Sequence, residues 1–367
     1  MGDRLDEYRG VARELGVDAV ALVPGPNFER VLKRPFSTSE RPHVVVVPAT
    51  GAPIAVVPRL ELRSWDLVGF EGTTIDWPDK DGYADAFVAL FRHLSLRSMA
   101  VEGQVMRVFV HHALKEAKPD LRIVDGEAAI SGLRAIKSPA ETALIREAIA
   151  ISERALARVI DNVRIGQTEK EVELSLTQAL FAEGAEAHAF GPLVGAGDGS
   201  ARPHPRARAD YRIAAGDALL IDFGARKSGF VADITRTFFV GHATDEAHAV
   251  YETVLAANRT GIAQARAGMS AGELDDIVTR VLEASPFADR IRTRTGHGIG
   301  REVHEAPYLV RGNAEPLRPG MVCTIEPGLY RIGNIGIRIE DDILITEGGC
   351  EVLTHFPKEL QIIGRSV

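Results

Sequence analysis

The apolar and polar positions of the chain follow two periods. Near the start, Leu5, Tyr8, Val11 and Leu15 recur at helical spacing, and Val17 to Val23 then reads as a strand. Apolar runs at His43 to Pro48, Ile54 to Val57 and Ser98 to Glu102 predict further strands, with a helix pattern from Tyr83 to Leu94 between the last two. Such alternation predicts a small α/β unit. A new long helix begins after Lys137, where Ser138, Pro139 and Glu141 form a capping box with proline at the first helical position. Leu144, Ala148, Ile151 and Ala155 give it an apolar stripe. Thr168 with Glu171 and Ser270 with Glu273 repeat the capping signal, and between these helices lie strand pairs with glycine turns, among them Pro319-Gly320 and Pro327-Gly328. No repeat of solenoid period is present. The expected organisation is an α/β domain over residues 1–133 and a larger α+β domain over residues 134–367.

The stretch from Ala218 to Gly241 predicts two apolar strands, Ala218 to Phe223 and Phe230 to Val240, joined by a turn from Gly224 to Gly229. Each carries one carboxylate in its apolar middle, Asp222 and Asp233. A buried charge without a partner is costly, and two carboxylates on adjacent strands repel unless a cation lies between them. Three later stretches carry related oddities. T-G-H-G-I-G-R-E-V-H-E-A-P holds His297 and His304, with glycines that let backbone or ligand approach closely. In M-V-C-T-I-E-P-G, Glu326 shares a strand face with Val322 and Thr324; in I-G-I-R-I-E-D-D, Arg338 and Glu340 share one face and Ile337 and Ile339 the other. Singly, each of these residues reads equally well as structural. Together, the four acids share a place inside an apolar strand. If Asp222, Asp233, His297, Glu326 and Glu340 converge, four carboxylates and one imidazole balance two divalent ions. Oxygen-rich ligation with one imidazole suits Mn²⁺ best, with Co²⁺, Fe²⁺ and Zn²⁺ as alternatives, and a metal pair serves hydrolysis.

Composition narrows the context. At 367 residues and 45% hydrophobic, the chain is long enough for two cores, and its formal net charge of -8 at pH 7 speaks against a nucleic-acid or anionic-membrane surface. The two cysteines, Cys323 and Cys350, fit a reducing compartment and exclude a disulfide scaffold. The charged first residues and the lack of any apolar run of about 18 residues predict a soluble cytoplasmic protein. The first unit shows no catalytic cluster. Its adjacent His111 and His112 cannot share a helix face and read as surface or core residues.

In order and spacing, I-D-F-G, A-D-I-T-R-T, G-H-G-I-G, V-H-E-A-P, I-E-P-G and R-I-E-D resemble the pita-bread metallopeptidases. These include Xaa-Pro dipeptidases, Xaa-Pro aminopeptidases, methionine aminopeptidases and the metal-free creatinases. The resemblance covers residues 138–367, and K-S-P-A-E resembles the start of the catalytic domain in the proline-specific branch. The first unit is similar to the branch's smaller creatinase-like domain, although G-P-N-F-E-R-V-L-K-R-P-F departs from its aromatic-rich form.

The resemblance implies that Asp222 holds one metal, His297 the other, and that Asp233 and Glu340 bridge both. It makes Glu326 a ligand and general base. His304 would stabilise the tetrahedral intermediate or orient the substrate carbonyl, and His204, in A-R-P-H-P, would touch substrate beyond the scissile bond. Arg338 would fix Glu340 or Asp233, with a plain strand ion pair as the equal alternative. Thr293 stands where these enzymes often have a histidine, so any contact made there is altered.

The implied substrates are small proline-containing peptides, and the implied assembly is a homodimer. The bond before proline has no N–H to grip and a fixed φ, which calls for a dedicated hydrolase. The length of the first unit disfavours a methionine aminopeptidase, and the intact ligand set disfavours a creatinase or a non-enzymatic binding member. Only L-Y-R-I-G-N-I-G separates Pro327-Gly328 from Ile337, leaving Arg331 as a possible substitute for the arginine that grasps a dipeptide carboxylate in longer-looped dipeptidases. That compact link inclines the reading to an Xaa-Pro aminopeptidase, with an Xaa-Pro dipeptidase as the alternative.

Overall fold

Four consecutive valines, Val44–Val47, suit a strand covered on both faces. The computed structural model, which describes residues 2–364, places them inside a six-stranded sheet. From edge to edge its strands are Thr73–Trp77, Ile54–Pro58, Val44–Pro48, Ala19–Leu22, Ser98–Val101 and Arg122–Asp125. Val44–Pro48 runs antiparallel to both neighbours, and the remaining pairs are parallel. On one face Val45 and Val47 pack with Leu5, Tyr8 and Val11 of helix Gly2–Glu14; on the other, Val44 and Val46 pack with Phe87 and Leu90 of helix Ala84–His93. The two outer strands and the helix Val108–Ala117 go beyond the sequence expectation. On that helix His111 is half-buried and His112 exposed.

The chain parts into two compact units between Arg134 and Ala135. In the second, helix Pro139–Ile160 starts from a complete capping box at Ser138, as do helix Glu169–Ala182 at Thr168 and helix Ala271–Glu283 at Ser270. The first of these buries Ile145, Ile149 and Leu156 as well as Ala148, Ile151 and Ala155, a wider stripe than expected. A four-stranded sheet orders Ile362–Ile363, Ile234–Val240, Ala218–Phe223 and Leu193–Ala196. A five-stranded antiparallel sheet orders Glu305–Leu309, Gly296–Gly298, Val322–Ile325, Asp341–Thr346 and Gly349–Val352. The unit is α+β. No helix among the described residues is long and apolar enough to cross a membrane, and both cysteines are free.

One expected element is different. The run from Phe230 to Val240 is not a single strand. Phe230–Val231 pairs back on Ala225–Lys227, inside what reads as a turn, through a tight loop with positive φ at Ser228 (49°) and Gly229 (78°). Ile234–Val240 then pairs with Ala218–Phe223, setting Thr235 opposite Asp222. The chain changes sheets at Ala232-Asp233. Gly224 makes room for this, since a Cβ there would stand 1.7 Å from the Ala232 carbonyl oxygen.

Candidate metal centre

The change of sheets determines what Asp233 can do. It lies in the break between Val231 and Ile234, while Asp222 lies near the end of its strand, and both side chains enter one pocket. Glu326 falls one residue beyond the strand Val322–Ile325, where Pro327 ends the ladder, and its N–H donates to Thr295 O at 2.7 Å. Glu340 occupies the gap between Ile335–Arg338 and Asp341–Thr346, with its N–H on Thr235 O at 3.1 Å. Only Asp222 therefore sits within a strand as expected. The other three acids are at strand ends or breaks, where the backbone leaves the ladder and can aim a carboxylate sideways.

His297 is the middle residue of Gly296–Gly298, a strand squeezed from both sides: a Cβ at Gly296 would meet Thr324 O at 2.1 Å, and one at Gly298 would meet Ala306 O at 2.2 Å. Its Nδ1 lies 3.2 Å from the Gly298 carbonyl oxygen. That leaves Nε2 to face Glu326 Oε1 at 3.0 Å and Asp233 Oδ2 at 3.8 Å. One ligand atom each of Asp233, His297 and Glu340 lies within 4.8 Å of the other two.

All five residues line one pocket, and all but the half-buried Glu326 are buried. Asp222 Oδ1, Asp233 Oδ1 and Glu340 Oε1 are buried without a hydrogen-bond partner. Burial, then the charges of Glu340, Asp222 and Glu326, hold the Asp233 carboxyl well above the usual range; burial, then Glu326 and Asp222, does the same to Glu340. Burial also raises Asp222, against the pull of Arg338. Burial alone would raise Glu326, but the hydrogen bond and charge of His297, with Arg338 and Arg294, bring it below its ordinary value. Orphaned carboxylate oxygens and mutual repulsion are what a divalent cation relieves, so the donor set fits a metal centre.

Arg338 is buried, and each of its three guanidinium nitrogens has a partner. Its Nη2 pairs with Asp222, Nε donates to Thr235 Oγ1 at 3.1 Å, and Nη1 donates to the Tyr330 hydroxyl at 2.6 Å and to Pro203 O at 3.1 Å. It thus holds Asp222 rather than Asp233, and reaches Glu340 only through Thr235, whose hydroxyl donates to Glu340 Oε2 at 2.5 Å. Thr235 and Tyr330 escape a reading of the sequence. The glycine in I-E-P-G is the signal for Tyr330, because a Cβ at Gly328 would stand 2.5 Å from its hydroxyl.

The pocket, about 220 Å³, is lined by His204, His304 and Thr293 beside the metal-centre residues, with Phe190, Leu193 and Val303 as apolar walls. The His304 ring stands edge-on to His297, 4.2 Å between centroids at 89°. Although one side of the ring is open to the pocket, lost hydration, then the neighbouring His297 and Arg294, pulls its pKa down to about 4. The Thr293 hydroxyl is buried without a partner. Arg331 does not fill the role its sequence position suggested. It reaches back to Glu246 at 3.4 Å from an exposed position and is absent from the pocket lining.

Residues 143–347 match Metallopeptidase family M24, and residues 4–136 match the Creatinase/Prolidase N-terminal domain. The chain belongs to metallopeptidase family M24. This M24 chain is 36% identical to an Xaa-Pro dipeptidase of Pyrococcus horikoshii over 268 residues, 72% of this chain and 75% of that one. It superposes on the structure of an Xaa-Pro dipeptidase from Bacillus anthracis with a TM-score of 0.91 at 29% identity, covering 99% of each chain. It also superposes on an X-Pro aminopeptidase from Thermotoga maritima with a TM-score of 0.85, again at 29% identity and 99% of each chain. The second unit of this M24 peptidase is accordingly a pita-bread domain, preceded by a creatinase-type N-terminal domain.

Proposed function

We propose that this M24 peptidase is an Xaa-Pro dipeptidase working with a pair of divalent ions, Mn²⁺ first among them. The observation that carries this reading is the convergence of four carboxylates, three with orphaned oxygens, around His297 at the floor of a small pocket. One thing favours the dipeptidase over the aminopeptidase suggested by the short link before Ile337: relatives similar along most of the chain bear the dipeptidase name. The aminopeptidase remains the second reading, supported by the likeness to the Thermotoga maritima structure.

Asp222, Asp233, His297, Glu326 and Glu340 would hold the ions. When bound, the metals acidify the attacking water and polarise the substrate carbonyl. Glu326 then takes the water's proton on a carboxylate oxygen and delivers it to the prolyl nitrogen, which must be protonated to leave as a secondary amine. His304, beside His297, donates to the carbonyl oxygen as negative charge grows there. His204 is positioned by its neighbour Pro203, whose carbonyl Arg338 holds, and contacts the proline side of the substrate. The apolar walls exclude water and receive the ring.

The test is hydrolysis of Gly-Pro and Gly-Pro-Pro by metal-stripped protein before and after Mn²⁺ addition, with bound metal counted. Cleavage of Gly-Pro appearing with two metals per chain is the expected result. Faster cleavage of Gly-Pro-Pro would replace the reading by the aminopeptidase, and two metals with neither peptide cut would remove it. Glu326→Gln should abolish turnover while largely retaining one metal, and unchanged turnover would strip Glu326 of the general-base role.

A further inference from the structure

The helix-start motif K-S-P-A-E contains one residue that capping does not explain. Ser138, Pro139 and Glu141 complete the cap. Lys137 turns inward instead, where its Nζ meets Glu305 Oε1 at 2.7 Å and the Ala135 carbonyl at 3.1 Å, with the side chains only 2% and 1% exposed. A wholly buried ion pair adds little net stability over an apolar pair of the same volume, so its presence asks for another reason. Glu305 supplies one. It is the first residue of the strand Glu305–Leu309, opposite Gly298, and directly follows His304. Among the described residues His304 has no hydrogen bond of its own, and its ring packs against the edge of the His297 ring. The position of its imidazole therefore depends on the backbone of its neighbour. Gly300 is shaped to the same end: a Cβ there would stand 2.6 Å from Glu305 Oε1 and 2.8 Å from Lys137 Cε.

We propose that Lys137 is a positioning residue for the reaction: through the buried pair with Glu305 it pins the start of the strand and so fixes His304 over the metal centre. The inference rests on the catalytic part given to His304 above. Its consequence is a requirement for a charged anchor on a different element, the N-terminus of the helix Pro139–Ile160, far along the chain from the histidine it positions.

The test replaces both partners at once, Lys137→Met with Glu305→Met, so that neither charge of the pair is left facing the other's vacancy. The expected result is parental melting temperature, metal content and KM for Gly-Pro, with kcat lower by roughly 10- to 100-fold, as a displacement of about 1 Å at a reacting group produces. In the zinc-loaded protein the imidazole resonances of His304 should move or broaden while those of His297 stay. Lys137→Arg should recover part of the lost kcat. Parental kcat and an unmoved His304 resonance would overturn the proposal, as would a loss of kcat that follows a loss of metal. If the double variant does not fold, Gly300→Ala displaces the same pair without removing a charge. A fall in kcat with metal retained then supports the proposal, and parental kcat refutes it. Should the parent hydrolyse no Xaa-Pro peptide, the function proposed above fails, while the His304 resonance in parent and variant still decides this inference.

Discussion

Glu340 and Asp341 are consecutive carboxylates, each 1% exposed, and their surroundings are opposite. Asp341 receives Arg236 Nη2 at 2.7 Å, Lys358 Nζ at 2.6 Å and the Thr354 hydroxyl at 2.8 Å. Burial alone would raise its pKa, but Arg236 and Lys358 bring it below the ordinary value. Glu340 receives the Thr235 hydroxyl, keeps Oε1 without a partner, and is raised well above the ordinary value by burial and by Glu326 and Asp222. Arg236 touches both residues, yet gives Glu340 only a hydrogen bond to its backbone carbonyl at 2.5 Å. The chain thus compensates the carboxylate that holds the fold together and leaves uncompensated the one proposed to hold a cation. The cost of that omission falls on metal-stripped protein and is returned when metal binds.

The sharpest way to break this contrast is Glu340→Gln. It should eliminate metal-dependent hydrolysis and weaken metal binding, yet leave the melting temperature of metal-stripped protein equal or higher, because it removes one charge from a repelling cluster. A lower metal-free melting temperature would show Glu340 to be a structural charge. Asp341→Asn should do the reverse, costing about 3–5 kcal/mol in denaturant unfolding by stranding Arg236 and Lys358, with metal stoichiometry retained in the folded fraction. Equal destabilisation by both substitutions would erase the distinction.

A smaller effect separates the pair by pH. Unfolded carboxylates release their protons near pH of about 4. Asp233 and Glu340, raised in the folded metal-free protein, contribute stability that is full below that range and is lost as pH rises through their folded values. Asp341, lowered, contributes stability present above that range and lost as pH falls through its folded value. The lowered imidazoles of His43 and His304 act against folding on mild acidification, equally with and without metal, so metal-stripped protein should gain in melting temperature relative to Mn²⁺-loaded protein as pH falls from neutrality. Parallel curves would mean that the cluster carries no repulsion for metal to relieve.

The carboxylates that the structure brings to one pocket were legible because each interrupts an apolar run, and an apolar run is read as burial. The three capping boxes were legible because Ser138, Thr168 and Ser270 each precede a glutamate at fixed spacing. The break at Asp233 was not. Every residue from Phe230 to Val240 is buried, so no alternation of faces marks where the chain leaves one sheet for another. Glu326 and Glu340 were placed inside strands for the same reason, although Pro327 signals the end of the first. The outer strand Thr73–Trp77 was hidden by its exposed threonines. Arg338 reads from the sequence as a partner of Glu340 or Asp233. Only the register of Thr235 against Asp222 shows why it takes Asp222 and leaves Thr235 to hold Glu340.

The third acid of the run, Asp342, carries the smallest expected effect and tests the contrast from the other side. It is completely buried; Oδ2 accepts the Asp233 N–H at 3.2 Å and Oδ1 has no partner. Burial, against the pull of that N–H and aided by the charge of Asp341, raises it well above the ordinary carboxylate range and holds it toward its neutral form. Asparagine has the same shape, keeps the carbonyl acceptor and is neutral. Asp342→Asn should change unfolding free energy by no more than about 1 kcal/mol, the value of one ordinary hydrogen bond, and leave metal affinity in place. Asp342→Leu removes the acceptor, strands the Asp233 N–H at a cost of about 1–3 kcal/mol, and should weaken metal binding by releasing Asp233. If Asp342→Asn instead costs as much as Asp341→Asn, then Asp342 is a charge compensated by the fold, and the uncompensated acids would stop at Glu340 rather than extend behind Asp233.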